Sequence, residues 1–253
     1  MTLRSLGAAC VLLLSGSGMG AHLANAVEIT VLSTQATEQS YRELLPQFEK
    51  AAGHSVTTTF TGTLDAKKRI AEGQPFDLLI MASPDIDAFI ASGTLVAGSR
   101  IDLAKSGVGI GVKAGAPKPD IGTTEAFKNA LLAAKSIGYS TGPSGNYVAG
   151  LFERLGIADQ VKPKLKQTPT GVFVGTIVAS GEAEIGIQQV SEMAQFAGVD
   201  YVGPLPADIQ KMTIFASGIA AKAKQAEAAK AWVKFITAPS SAAAFKKRGM
   251  EPG

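Results

Sequence analysis

The sequence predicts an α/β fold of two lobes, with mainly parallel sheets, flanking helices and two crossovers between the lobes. Short β-branched or apolar runs alternate with stretches of helical periodicity along nearly the whole chain, the pattern of repeated βαβ units. The 253 residues are 46% apolar and 18% charged, a composition that supports a packed core. No Pro/Gly/Ser-rich linker or internal repeat divides a chain too long for one small sheet, as expected where the chain passes back and forth between two lobes.

Taken in order, Glu28 to Leu32 reads as a buried strand, followed by the polar turn Ser33-Thr34-Gln35-Ala36-Thr37. Tyr41, Leu44, Leu45 and Phe48 then recur at helical spacing, and Gly53 closes that helix. Residues 55–61 are strand-like and 64–72 helical, ending at Gly73. Asp77-Leu78-Leu79-Ile80-Met81 has the unbroken character of a strand covered on both faces. Ser83-Pro84 supplies an N-cap and a first-turn proline, and Gly93 stops that helix. Strands at 108–112 and 136–140 flank a helix over 123–134, whose stripe is Phe127, Leu131 and Leu132. A helix spans 145–155. Residues 171–179 lie between turn signals and read as helical despite their valines, ahead of a strand at 184–188. Strands at 200–202 and 212–220 precede two last helices, 225–237 with Trp232 on its apolar stripe and 240–247. The lobes are expected over 27–106 plus 214–253 and over 107–213.

Residues 1–26 read as a cleavable export signal. Arg4 gives a short positive region, Leu6 to Met19 is a mostly apolar run too short to span a bilayer, and Ala24-Asn25-Ala26 fits a small-x-small cleavage site. Gly7-Ala8-Ala9 ahead of Cys10 lack the large aliphatic residue of a lipid-attachment site. Beyond residue 26 there is no cysteine and one histidine, His54, which argues against a cysteine nucleophile, a disulfide or a His-rich metal centre. A net charge of +3 with scattered basic residues gives no footprint for nucleic acid. Gly107, Gly109 and Gly111 alternate along a strand and do not form a dinucleotide loop; they suit close backbone approach at a crossover. No G-x-S-x-G, G-x-x-x-x-G-K or H-E-x-x-H occurs.

Several segments in order carry a resemblance: Ile29-Thr30-Val31, Gly73-Gln74-Pro75-Phe76-Asp77-Leu78-Leu79-Ile80, Pro143-Ser144-Gly145-Asn146-Tyr147, Ile185-Gly186-Ile187, and Lys234-Phe235-Ile236-Thr237-Ala238-Pro239 with Phe245-Lys246-Lys247-Arg248-Gly249. With the export signal and the length, the chain resembles the periplasmic substrate-binding proteins of ABC importers, in the branch that binds molybdate and tungstate, with the type II periplasmic binding protein fold. The resemblance implies a small anion held between the lobes by hydroxyls and by N–H groups at helix starts. There the first-turn amides lack partners and the dipole favours negative charge. It implies no cofactor and no metal, a periplasmic monomer, and an inner-membrane permease with its ATPase as partners. By motif position the contacts fall on Ala36 or its hydroxyl neighbours Thr34 and Thr37, on Gly62 and Thr63, on Ser144, on Thr170-Gly171, and on Gln189. Ala36 stands where that branch carries a serine and Gln189 where it carries a tyrosine, so a small carboxylic acid is an open alternative to an oxyanion.

Each of these positions also has an ordinary structural reading. The 33–37 segment and Ser144 are good helix starts, Thr61-Gly62-Thr63 is good turn chemistry, and Thr168-Pro169-Thr170-Gly171 presents bare N–H groups before an uncharged helix. Tyr147 either packs on the other lobe or touches ligand. Lys67-Lys68-Arg69 reads as a solvated helix face, His54 as an exposed turn residue and Trp232 as core. The rival function is that of a periplasmic isomerase similar to aconitate isomerase, with Glu38 or Asp65 as base and Lys68 or Arg69 as clamp. Asp85 completes the few carboxylates expected near the cleft.

Overall fold

The computed structural model of the protein describes residues 26–253. The export signal expected over 1–26 lies, apart from Ala26, outside them.

The first strand, β1 (Glu28–Thr34), is two residues longer than expected and pairs in parallel with β2 (Ser55–Thr61) and β3 (Leu78–Ala82). Next comes β4 (Ile101–Ser106), unforeseen because Asp102 and Lys105 interrupt its apolar pattern. The chain then enters a second sheet, made of β5 (Val108–Lys113), β6 (Ile137–Tyr139), β7 (Leu165–Gln167), β8 (Ile185–Gln189) and β9 (Val199–Pro204). It returns to the first with β10 (Thr213–Ile219) and β11 (Met250–Pro252). The strand orders are β11-β4-β10-β3-β1-β2 and β7-β6-β8-β5-β9.

The two-lobed α/β architecture is as expected, but the sheets are mixed rather than mainly parallel. β10 runs antiparallel to β3 and β4, β11 antiparallel to β4, and β5 antiparallel to β8 and β9. The crossovers cause this. Strands β1 to β4 run toward the second lobe, so β10, re-entering from that lobe, runs against them; β5 enters the second sheet against β8 in the same way.

The helices are α1 (Glu38–Ala52), α2 (Thr63–Ala71), α3 (Ser83–Ala91), α4 (Thr124–Ala133), α5 (Pro143–Arg154), α6 (Ala158–Val161), α7 (Val174–Ser180), α8 (Val190–Met193), α9 (Ala226–Ile236) and α10 (Ala242–Lys246). The four-residue helices and the three-residue strands β7 and β11 are too short to show a period in sequence. Ser83 is the first residue of α3 rather than its N-cap, which is Ala82. The helix expected from Gly171 starts at Val174, because Gly171 takes a left-handed φ of 79° in a turn closed by Val172 N–H donating to the Pro169 carbonyl.

The apolar stripe of α1 buries Tyr41, Leu44 and Phe48 against α9, where Trp232 lies 4.7 Å from Tyr41 and 4.9 Å from Phe48. Trp232 is core, as expected. His54 is not a free surface residue: it is half-buried, with its ring 6.4 Å from Phe48. Asp77 precedes β3 instead of belonging to it, and its buried carboxylate accepts four bonds. The donors are the Thr30 N–H (2.8 Å), the Thr30 hydroxyl (2.8 Å), the Lys224 N–H (2.7 Å) and the Gln225 N–H (2.9 Å). These bonds hold its carboxyl below the ordinary 3.8 despite burial, and they tie β1 to the start of α9.

Two glutamine amides tie the crossovers. Gln210 accepts from Val108 N–H (2.8 Å) and donates to the Val108 carbonyl (3.0 Å). Gln189 accepts from the Thr213 hydroxyl (2.9 Å) and donates to the carbonyls of Ser106 (3.1 Å) and Gly107 (3.0 Å). Val190, Met193 and Tyr201 pack directly onto Gly109 and Gly111 of β5, which explains the alternating glycines.

Candidate functional site

The carboxyl ends of β1 and β2 in one lobe and of β6 and β8 in the other meet across a small polar gap. Its free volume is about 30 Å3. At roughly 10–15 Å3 per water, that is room for a compact group of a few heavy atoms. One wall is Thr34, Gln35 and Ala36 with Thr61, Gly62 and Thr63. The other is the Ser140–Ser144 loop, Pro169, Gly171 and Val172, with Gln188, Gln189 and Glu192 behind, and Phe215 of β10 at the side.

Local chemistry aims these groups. Thr34 caps a single 3-10 turn (Gln35–Thr37), accepting from Ala36 N–H at 3.5 Å, a contact long enough to leave that amide weakly engaged. Gly62 is the N-cap of α2 and has no side chain to satisfy the first-turn amides, so the N–H groups beside Thr63 stay available. Thr61 donates to Asp65 at 2.6 Å, which uses its only proton. In the second lobe α5 begins at Pro143 with Gly142 as N-cap. A side chain at Gly145 would overlap the Ser140 carbonyl; its absence lets the first turn settle onto that residue and brings the Ser140 and Ser144 hydroxyl oxygens to 3.4 Å.

Of the residues singled out from the sequence, Thr34, Ala36, Gly62, Thr63, Ser144, Gly171 and Gln189 line the gap. Thr37 does not: its hydroxyl donates to the Thr34 carbonyl (3.3 Å) and lies 3.1 Å from Ser33 Oγ, holding the turn. Thr170 lies at the rim, where its hydroxyl sits against Gly62. There the lobes touch, and Gln35 Nε2 donates to the Gly171 carbonyl at 2.9 Å. Gln189 faces the gap with its amide already committed to the crossover strands. Tyr147 is turned away, its hydroxyl donating to the Ile209 carbonyl at 2.7 Å.

Among the described residues lining the gap there is no Lys, Arg or His. Glu38, Asp65, Lys68 and Arg69, the base and clamp candidates, are absent from it as well. Glu38 is paired with Arg42 (2.7 Å), Lys68 faces Glu72, and Asp65 is bound by Arg69 (2.6 Å) and Thr61, which hold its carboxyl below the ordinary value. Asp85 pairs with Lys67. The 67–69 run is the solvated helix face expected.

Sequence reading overlooked Ser140, Thr141, Gln188 and Glu192. Glu192 matters most, because burial pushes its carboxyl up to about 8 and the Glu38 charge adds to this, against an opposing bond from Gln188. Gln188 is fixed in turn, its Oε1 accepting from Val174 N–H at 2.8 Å. The available signal was position: a glutamate one short turn past the carboxyl end of a strand. No group of three His, Cys, Asp or Glu that could hold a metal ion occurs among the described residues. No helix among them is long and apolar enough to cross a membrane.

The profile of the bacterial extracellular solute-binding protein family matches residues 29–251. An aconitate isomerase from a Pseudomonas species is 34% identical over 230 residues, covering 88% of this chain and 87% of the relative. The molybdate-binding protein ModA of Azotobacter vinelandii is 26% identical over 244 residues, covering 92% and 94%. In structure the chain is similar to the Azotobacter vinelandii periplasmic molybdate-binding protein, with a TM-score of 0.75 at 19% identity, covering 89% of this chain and 99% of that one.

Proposed function

The chain belongs to the bacterial extracellular solute-binding protein family, and from that premise we propose that it captures a small anion in the gap between its lobes. It works in the periplasm as a monomer, delivering the anion to an inner-membrane ABC permease and its ATPase. The lobes are taken as 27–106 with 214–253 and as 107–213. What carries this reading is the lining: hydroxyls and unpartnered helix-start amides from both lobes converge on about 30 Å3 of space. That volume suits a tetrahedral oxyanion of the molybdate and tungstate kind better than a tricarboxylate. Thr34, the Ala36 amide, Gly62 and Thr63 serve from one side, and Ser144 with the Gly171 turn from the other. Each charge-assisted bond contributes about 1.5–3 kcal/mol, so three or four support micromolar affinity or better after association costs. Because donors come from both lobes, the ligand favours the closed arrangement over any open one.

A second reading, aconitate isomerase activity, is favoured by the 34% identical relative and by Glu192. As the ionisable side chain on the gap, Glu192 is the group to take an allylic proton from one carbon of the tricarboxylate and return it to another, while the double bond shifts and no redox partner is needed.

Thermal unfolding of the mature chain with molybdate, tungstate, sulfate, phosphate, citrate and both aconitates separates the two. A rise in midpoint with an oxyanion supports the receptor. Conversion of one aconitate isomer into the other over time overturns it.

A further inference from the structure

We infer that Glu192 meets the bound anion as a carboxylic acid, its O–H donating to the ligand, so that each fully ionised anion enters the closed gap together with one proton. The inference rests on the anion-binding reading above and adds its proton requirement. Glu192 projects from α8, just beyond the end of β8, and is the one ionisable side chain among the described residues lining the gap. Its fellow liners are neutral, and none is a cation that would balance a second negative charge. A carboxylate beside an anion in so small a space, with no cation on the lining, repels it. The same group carrying a proton becomes one more donor.

The surroundings favour the acid. Gln188 on β8, its oxygen occupied by Val174 N–H, donates its NH2 toward Glu192 and works against this, but its effect is smaller than that of burial. The charge acting on Glu192 from the other lobe is that of Glu38, at the start of α1 outside the gap and already paired with Arg42. The remaining elements packed on α8 put no cation on the lining of the gap. β8 and α7 carry no ionisable residue. On β5, Lys113 reaches toward Gly181. On β9, Asp200 accepts from Gly115 N–H, and Tyr201 lies on Gly109, its phenol pushed up to about 12 by burial. Past α10, Lys247 and Arg248 both pair with Glu43, Arg248 through Nη2 alone, its buried Nε and Nη1 having no partner; neither residue lines the gap. Burial pushes the Glu192 carboxyl up to about 8.

The test is calorimetric titration of the exported chain with molybdate, sulfate and trans-aconitate, none of which takes up a proton across the alkaline range. Titrations run from about pH 6 to about pH 9.5 in two buffers of different ionisation heat at each step. Affinity is expected to be level up to about pH 8 and to fall roughly tenfold per unit above it. The buffer comparison is expected to show nearly one proton taken up per anion at the alkaline end and almost none at the acid end. In Glu192→Gln the slope and the proton uptake should both vanish. If that variant does not fold, the proton count of the unaltered chain decides the matter alone. Binding that is level throughout in the unaltered chain, or an identical slope in Glu192→Gln, overturns the proton requirement and leaves the anion receptor standing. Failure of every anion to bind at any pH overturns both.

Discussion

Replacing Gly62 by alanine probes the contact between the two walls of the gap. Gly62 has φ −76° and ψ 159°, an ordinary extended conformation, so alanine strains nothing within its own lobe. Across the gap the added methyl would overlap the Thr170 hydroxyl and stand 2.6 Å from the Gly171 nitrogen, where ordinary contact begins at 3.4 Å. The two loops must therefore draw apart by about 0.8 Å. The nearest backbone atoms across the gap are those of Gly171, so relief requires a shift of the loop itself and not only of the Thr170 side chain. The retreat stretches the 2.9 Å bond from Gln35 to the Gly171 carbonyl past useful length. Overpacking of this kind costs about 1–3 kcal/mol, which is roughly a 5- to 150-fold rise in Kd. Calorimetry with molybdate measures the affinity, and thermal unfolding without ligand measures the fold. Weakened binding with a ligand-free midpoint close to that of the parent chain is expected, since opening the gap leaves both sheets intact. Undiminished affinity would refute the reasoning; so would a ligand-free midpoint lowered as by a core defect, because the clash would then lie inside one lobe.

Ser144→Ala should weaken anion binding by about 10- to 150-fold, the loss of one charge-assisted bond of about 1.5–3 kcal/mol. Its ligand-free stability should barely move, since its one hydrogen-bond contact within the protein is the 3.4 Å approach to Ser140. Unchanged titration curves would place the ligand elsewhere. Asp77→Ala strips the acceptor from four donors and should cost about 3–5 kcal/mol, lowering the midpoint by roughly 6–20 °C. Because the folded carboxyl sits below the ordinary 3.8, its stabilisation is complete above that value and is lost as pH falls through the lowered one; acid titration of the midpoint in both proteins checks this. Glu192 has the opposite sign. Its folded carboxyl titrates at about 8 against an ordinary 4.5, so stability should fall as pH rises between those values, by at most about 1.4 kcal/mol per unit. Urea unfolding of Glu192→Gln should lack that fall; parallel curves for the two proteins would contradict the protonated state.

Alternation of apolar runs and helical stripes made most of the α/β fold legible, because each long element has a face that must be buried. Tyr41, Leu44 and Phe48 repeat at helical spacing, and they are the residues that pack on Trp232. Elements of three or four residues have no period to read, which hid β7, β11, α6 and α8. The direction of pairing was hidden for a different reason: nothing in the sequence of β10 tells that it re-enters from the far lobe and so runs against β3. Hydroxyls and glycines after strands pointed to the gap, since ligands in such folds lie at carboxyl strand ends. Thr37 was misplaced because a hydroxyl at a helix start looks the same whether it faces a ligand or closes its own turn. Glu192 went unseen because its significance comes from the wall opposite, which only the tertiary fold brings near.

Neutral donors also suit a receptor that must release what it binds. A buried cation would hold an anion whatever the lobes did, whereas each hydroxyl or amide exchanges its ligand bond for one to water at small net cost. Under the proposed reading, tight binding requires Thr34, Gly62 and Ser144, which line one gap from both lobes, to act at once. Gln189 fits the same logic from the hinge. The resemblance places a ligand-touching tyrosine at that position, but this amide binds Ser106, Gly107 and Thr213 and so fastens one crossover strand to the other. Under the proposed reading, discrimination among anions is thereby left to the hydroxyls of the two loops and to the Glu192 proton, while Gln189 and Gln210 fasten the crossover strands.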